Sequence, residues 1–153
     1  MSNTRSTNTD QFDTTKFRPH GRVEYEERGQ LLCATALGPF NMELMGALVD
    51  MAKATFPTMT AKGRWAHIAT FRNSALCAPQ VLEGVTDAMK QMIQLGVAPE
   101  ITAFVLPTDV EGAALMGPLY AKAFEDAGAR LEFFQSFDSA QKWVESVLGP
   151  VDR

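Results

Sequence analysis

Metal-ligand spacing is missing from this sequence. Two cysteines, Cys33 and Cys77, and two histidines, His20 and His67, lie far apart, with no Cys-x-x-Cys and no His-x-x-x-His. No Gly-x-Gly-x-x-Gly follows an apolar run, so a dinucleotide or nucleoside triphosphate would find no backbone cradle for its phosphates. Basic charge is sparse as well. Fourteen Lys and Arg, scattered along the chain, stand against 18 Asp and Glu for a formal net charge of -4. A nucleic-acid surface needs clustered cations to neutralise phosphates, and none is present. No apolar run approaches the ~18 residues of a spanning helix. The amino terminus lacks an apolar core with a small-residue cleavage site. These absences predict no metal, no cofactor, no nucleic-acid partner and no membrane span. They also predict two reduced thiols in a cytoplasmic protein of bacterial type.

What is present is globular. Hydrophobic residues make up 46% and charged residues 21% of the 153 positions, the balance of an ordinary domain that buries roughly two thirds of its unfolded surface. Residues 1–18 are Ser, Thr, Asn and Asp with little to bury, so a mobile tail is expected there. Pro19-His20-Gly21 would be its hinge into a single domain over residues 19–153. Phe12 and Phe17 allow the alternative of an arm that docks.

The periodicity gives the elements in order. Val23-Glu24-Tyr25-Glu26-Glu27 alternates like a half-exposed strand, with Val23 and Tyr25 inward. After the Arg28-Gly29-Gln30 turn, Leu31–Leu37 returns as a more central strand. Asn41 suits a helix N-cap, with Phe40 and Met45 as a hydrophobic staple. Met45, Leu48, Val49, Ala52 and Phe56 make an apolar stripe that Pro57 should end, leaving a loop over residues 58–63. Trp65–Phe71 is a buried strand, the turn Arg72–Ala78 follows, and Pro79 opens a helix that Gly96 closes. Leu82, Val85, Met89, Met92 and Ile93 form its stripe. Ile101–Leu106 is a second core strand. A helical pattern runs from Asp109 to Ala127, with Leu119 and Tyr120 on its apolar face and a break expected at Gly117-Pro118. Leu131–Gln135 reads as an edge strand. Asp138-Ser139-Ala140-Gln141 resembles a capping box before a closing helix whose Trp143 should be mostly buried.

The fold class is therefore α/β: a mixed five-stranded sheet, an amino-terminal hairpin followed by parallel βαβ units, with four main helices.

Three stretches carry a likeness to a known family: the charged hairpin Val23–Leu37, the strand-turn-helix from Trp65, and the ending Phe133-Phe134-Gln135-Ser136-Phe137-Asp138-Ser139-Ala140-Gln141-Lys142-Trp143. Over about Gly21 to Leu148 the chain resembles the STAS domains, the SpoIIAA-like fold of bacterial anti-sigma-factor antagonists. It looks closest to small stand-alone STAS/SEC14-type proteins. The resemblance implies a non-enzymatic regulatory module that binds another protein. Antagonists of that kind carry Asp-Ser-Ser/Thr-Gly where the turn enters the central helix, with a phosphorylated Ser. Here the turn reads Arg72-Asn73-Ser74-Ala75-Leu76-Cys77, with Ser74 in place but the Asp and Gly absent. The SEC14-type likeness implies a second possibility, a small carrier holding an apolar ligand between sheet and helices.

Arg72, Asn73, Ser74 and Cys77 are thus the candidate interaction turn, expected to be exposed and anion-tolerant at a helix amino terminus. Cys77 supports a third possibility, an enzyme using a thiol whose pKa the helix dipole lowers. His67 reads as a neutral, hydrogen-bonded core residue, and Cys33 as core. Glu26-Glu27 and Glu125-Asp126 read as solvated surface. Met42, Met45, Met51 and Met59 suit the core, or an apolar groove near the first helix. A large apolar cavity would favour the carrier; an exposed apolar patch beside the turn would favour the module.

Overall fold

The computed structural model describes residues 4–12 and 21–151. Six strands form one sheet whose spatial order follows the sequence: β1 (Thr4–Asn8), β2 (Arg22–Arg28), β3 (Leu31–Leu37), β4 (Ala66–Arg72), β5 (Ile101–Val105) and β6 (Leu131–Phe134). The pairs β1–β2 and β2–β3 are antiparallel, and the remaining three are parallel. Four helices connect or close them: α1 (Met42–Ala61), α2 (Pro79–Gln94), α3 (Ala113–Ala127) and α4 (Phe137–Leu148).

The two faces of the sheet differ. On the inner face Val23, Tyr25, Ala34, Ala36, Ala69, Phe71 and Phe104 meet α1, α2 and α3. On the outer face Leu31, Ala66, Ile68, Ile101, Ala103 and Val105 pack on Ala140 and Val144 of α4. β4 and β5 are covered on both sides, which is why both read as continuous apolar runs.

The sheet has six strands, not five. Thr4–Asn8 pairs with Glu24–Arg28 of β2, so part of the segment expected to be a tail is sheet edge. A short 3-10 turn, Thr9–Phe12, then anchors it. Buried Thr9 accepts from the Val23 backbone N–H at 3.1 Å, and Phe12 packs on the inner core. Phe17 and the expected Pro19-His20 hinge lie outside the described residues.

Both prolines expected to interrupt helices sit inside them. α1 runs through Pro57 to Ala61. Pro57 is on the exposed face, while Met59 beyond it is fully buried and Thr60 accepts from the Trp65 indole at 3.1 Å. Packing of that last turn outweighs the lost backbone bond. α3 likewise continues through Pro118 to Ala127, because Met116 and Tyr120 on either side are both core. Spacing placed Ile93 and Leu119 on apolar faces, yet both are 40% exposed.

Other local expectations fare variously. Asn41 caps α1 by accepting from the Leu44 N–H at 3.0 Å. The cap of α4 is Ser136, two residues before the expected box, accepting from Ser139 N–H at 3.2 Å. Val23 and Tyr25 do face inward, but the alternation continues to Glu27, which is 4% exposed rather than solvated. Lys62 meets its carboxylate at 3.5 Å and Arg5 at 4.0 Å, the pairing a buried charge requires.

Trp143 is half-buried rather than mostly buried. Its ring lies 5.5 Å from that of Phe134 and under the Arg130 guanidinium at 5.3 Å. Trp143→Ala should therefore cost about 2 kcal/mol in urea melts, below the range for a fully buried aromatic. A loss above roughly 4 kcal/mol would show that the indole is more deeply held than this contact set allows.

Candidate functional site

Strand register builds the site. One row across the inner face reads Tyr25, Ala34, Ala69 and Phe104 on β2 to β5, each paired with the next. The central pair is alanine, and the flanking pair aromatic. In the next row Val23 pairs with Ala36 and Ala36 with Phe71. Small side chains on the middle strands make a floor, and the rings beside it make walls.

Above that floor α1 and α2 do not close fully. At Gly84 they touch: a β-carbon there would meet Met45 Cγ at 3.0 Å. Below the contact lies an apolar cavity of about 140 Å³, lined by both helices, the floor and Phe56, Phe71 and Phe104. Leu48 and Val49 on α1 and Val85 and Ala88 on α2, all half-buried, line its outer side. Natural cores rarely carry voids larger than a water molecule. The space is partly open to solvent at that outer side rather than sealed. Of the four methionines considered for a groove, Met45 lines the cavity, Met51 and Met59 are fully buried, and Met42 is exposed.

Among the lining side chains there is no formal charge, and only His67, Tyr25 and Tyr120 carry nitrogen or oxygen. The Tyr120 hydroxyl is used: it donates to the Ala75 carbonyl at 2.8 Å. His67 is different. It projects from β4 edge-on to the rings of Tyr25 and Phe56, at 5.8 and 6.2 Å. Its Nε2 is buried and has no hydrogen-bond partner, contrary to the expectation of a satisfied core histidine. Burial pushes its pKa down to about 4, so the ring is neutral at physiological pH. Burial likewise drives the Tyr25 phenol well above its usual range.

The predicted turn has another character. Ser74 is 1% exposed, and its Oγ accepts from the Leu76 N–H at 3.2 Å. Asn73 takes the left-handed conformation, φ 67°, and its Nδ2 donates to the Gly38 carbonyl at 2.7 Å. Neighbouring loops clamp the turn on both sides. Phe40 N–H donates to the Leu76 carbonyl at 2.9 Å and Ala75 N–H to the Glu111 carbonyl at 2.8 Å. The fit is close enough that a β-carbon on Gly38 would run into the Ser74 carbonyl. Arg72 and Asn73 are exposed as expected, while Ser74 is packed away and Cys77 is half-buried. Strand alternation sends the Arg72 side chain to the outer face, away from Ser74. There it lines a polar groove with Glu24, Thr35 and Thr70.

Cys77 is half-buried, with the Tyr120 hydroxyl 3.6 Å from its Sγ. Burial pushes the thiol pKa up, and the Tyr120 contact opposes this only in part. That reverses the lowering expected from the helix dipole. Cys77 Sγ has the Tyr120 hydroxyl as its hydrogen-bond partner and His67 Nε2 has none, so Nε2 is not paired with the thiol as a base. Among the described residues no group of three His, Cys, Asp or Glu could hold a metal ion, and no helix is long and apolar enough to cross a membrane.

Comparison of the chain with protein-family models, with curated proteins and with solved structures gives no match. A pocket between sheet and helices was offered by the resemblance, but apart from Met45 its lining was not identified, because each alanine is ordinary by itself. The available signal was Ala34, Ala36 and Ala69 at inward positions of two strands that the βαβ order makes neighbours.

Proposed function

We propose that this protein binds a small, mostly apolar molecule in the cavity between the sheet and helices α1 and α2, and serves as its carrier or receptor. The observation that carries this is an uncharged cavity of about 140 Å³ whose floor is alanine on the two central strands. An apolar cavity near 150 Å³ is known to stay dry and to take up a molecule the size of benzene. The strand and helix order also supports grouping the chain with the stand-alone STAS/SEC14-type proteins, where the carrier was the second possibility. A protein-binding module has its own support in Leu115 and Leu119, exposed one turn apart on α3. It loses support at the turn, where Ser74 is packed away. An enzyme using Cys77 has the least, since burial keeps the thiol protonated.

The test is solvent extraction of the chain purified from its own cells, followed by mass spectrometry, beside an Ala69→Leu variant. Leucine at Ala69 would stand in the floor of the cavity. A compound recovered from the wild type and lost from the variant is expected, together with a gain of about 1 kcal/mol in the variant's stability. Equal recovery from both, or none from either, would count against a cavity ligand.

A further inference from the structure

We propose that the outer face of the sheet carries a second site, independent of the cavity, that binds a small monocarboxylate through Arg72, Thr35 and Thr70. α4 covers this face where it is apolar, packing Ala140 and Val144 on Ile68, Ala103 and Val105. Toward β1 the same face turns polar, and a groove opens there beside Phe137, the first residue of α4. Register places the donors. Thr35 pairs with Thr70 across β3 and β4, so both side chains stand on one face about one strand spacing, roughly 5 Å, apart. Neither hydroxyl has a hydrogen-bond partner among the described residues. Arg72 follows two residues after Thr70 on the same face, and all three line the groove. The charge expected at the turn is thus delivered to the other side of the sheet.

Charge decides the ligand. Glu24 and Glu26 line the β2 side of the groove. Each is held by an arginine of its own strand, Glu24 by Arg22 at 2.8 Å and Glu26 by Arg28 at 3.0 Å. Arg72 is exposed and has no ion pair among the described residues, so its guanidinium is left without a counter-ion there. A guanidinium is a planar fork that matches the two oxygens of a carboxylate, and the neighbouring hydroxyls can donate to the same oxygens. One negative charge is the limit. Glu24 stands beside Thr35 across β2 and β3, and its carboxylate repels a dianion such as phosphate more strongly than a monoanion. Phe137 gives the carbon part of the ligand an apolar wall.

Amide ¹⁵N spectra of the full chain, titrated at constant ionic strength with benzoate, its neutral isostere benzamide and phosphate, test the site. Benzoate should shift Thr35, Thr70 and Arg72 saturably, and bind about tenfold or more tightly than either of the others. Arg72→Gln should weaken benzoate by about tenfold or more. Because Arg72 is exposed, that substitution tests the charge and not the fold. Glu24→Gln should tighten benzoate severalfold by removing the repulsion. Ala69→Leu, which alters the cavity on the opposite face, should leave benzoate binding unchanged. No saturable shift, shifts that survive Arg72→Gln, or benzamide bound as tightly as benzoate would overturn the site. So would loss of benzoate binding in Ala69→Leu, which would put the anion in the cavity. Phosphate bound as tightly as benzoate would overturn the restriction to a monocarboxylate.

Discussion

Stability should fall by about 3 kcal/mol as pH drops from 7 to 4 through His67 alone, and His67→Phe should remove that part of the fall. An unfolded chain protonates this imidazole near pH 6.5, whereas burial holds the folded form neutral down to about pH 4. Between those values the unfolded state binds a proton that the folded state refuses, so acid favours unfolding. Above pH 6.5 neither state takes it up, and the contribution is flat. No formally charged side chain lines the cavity to offset the effect. Urea melts of wild type and His67→Phe at pH 7.0 and 4.5 check this, since carboxylate titration is common to both proteins and cancels in the difference. If the two lose stability in parallel, the imidazole is reached by solvent and the burial argument fails.

Ser74→Asp should be the most damaging single substitution in the turn, costing about 3 kcal/mol or more in the same melts, against about 1 kcal/mol for Ser74→Ala. Ser74 lies under the loops that carry Phe40 and Glu111, with its oxygen committed to Leu76. Alanine removes one acceptor. Aspartate places a charge in a buried position, with Arg72 on the opposite face of the sheet. A phosphate would be worse on both counts, carrying more charge and more bulk. An Asp variant as stable as wild type would mean that the corner opens readily, and a phosphorylation switch there would regain its footing.

Local chemistry was readable in the sequence wherever a short stretch decides its own structure. The Val23–Leu37 hairpin, the Asn41 cap and the strand-turn-helix from Trp65 through Pro79 all follow from period, cap and punctuation. Elements decided elsewhere were opaque. Thr4–Asn8 shows no apolar alternation, because as an edge strand it offers its backbone to β2 and little else. Pro57 and Pro118 would end isolated helices, but Met59 and Tyr120 are held by core packing that a local pattern does not reveal. The same limit hid the site. Ser74 drew attention by its place in a motif, and its burial depends on Gly38 and Glu111, far away in the chain. His67 was recognised as a core residue, but its missing partner is a property of the walls around it.

The alanine floor also makes the folded molecule larger than the sum of its atoms. Unfolding lets water occupy such unfilled space, so the system shrinks as the chain opens, by an amount that scales with the unfilled volume. Hydrostatic compression therefore works against the native state in proportion to the unfilled space, while a guest seated over Ala34 and Ala69 removes the volume that compression acts on. On the proposed reading, the row of small residues that would admit a ligand would also make the native state sensitive to pressure, and a bound guest would lessen that sensitivity.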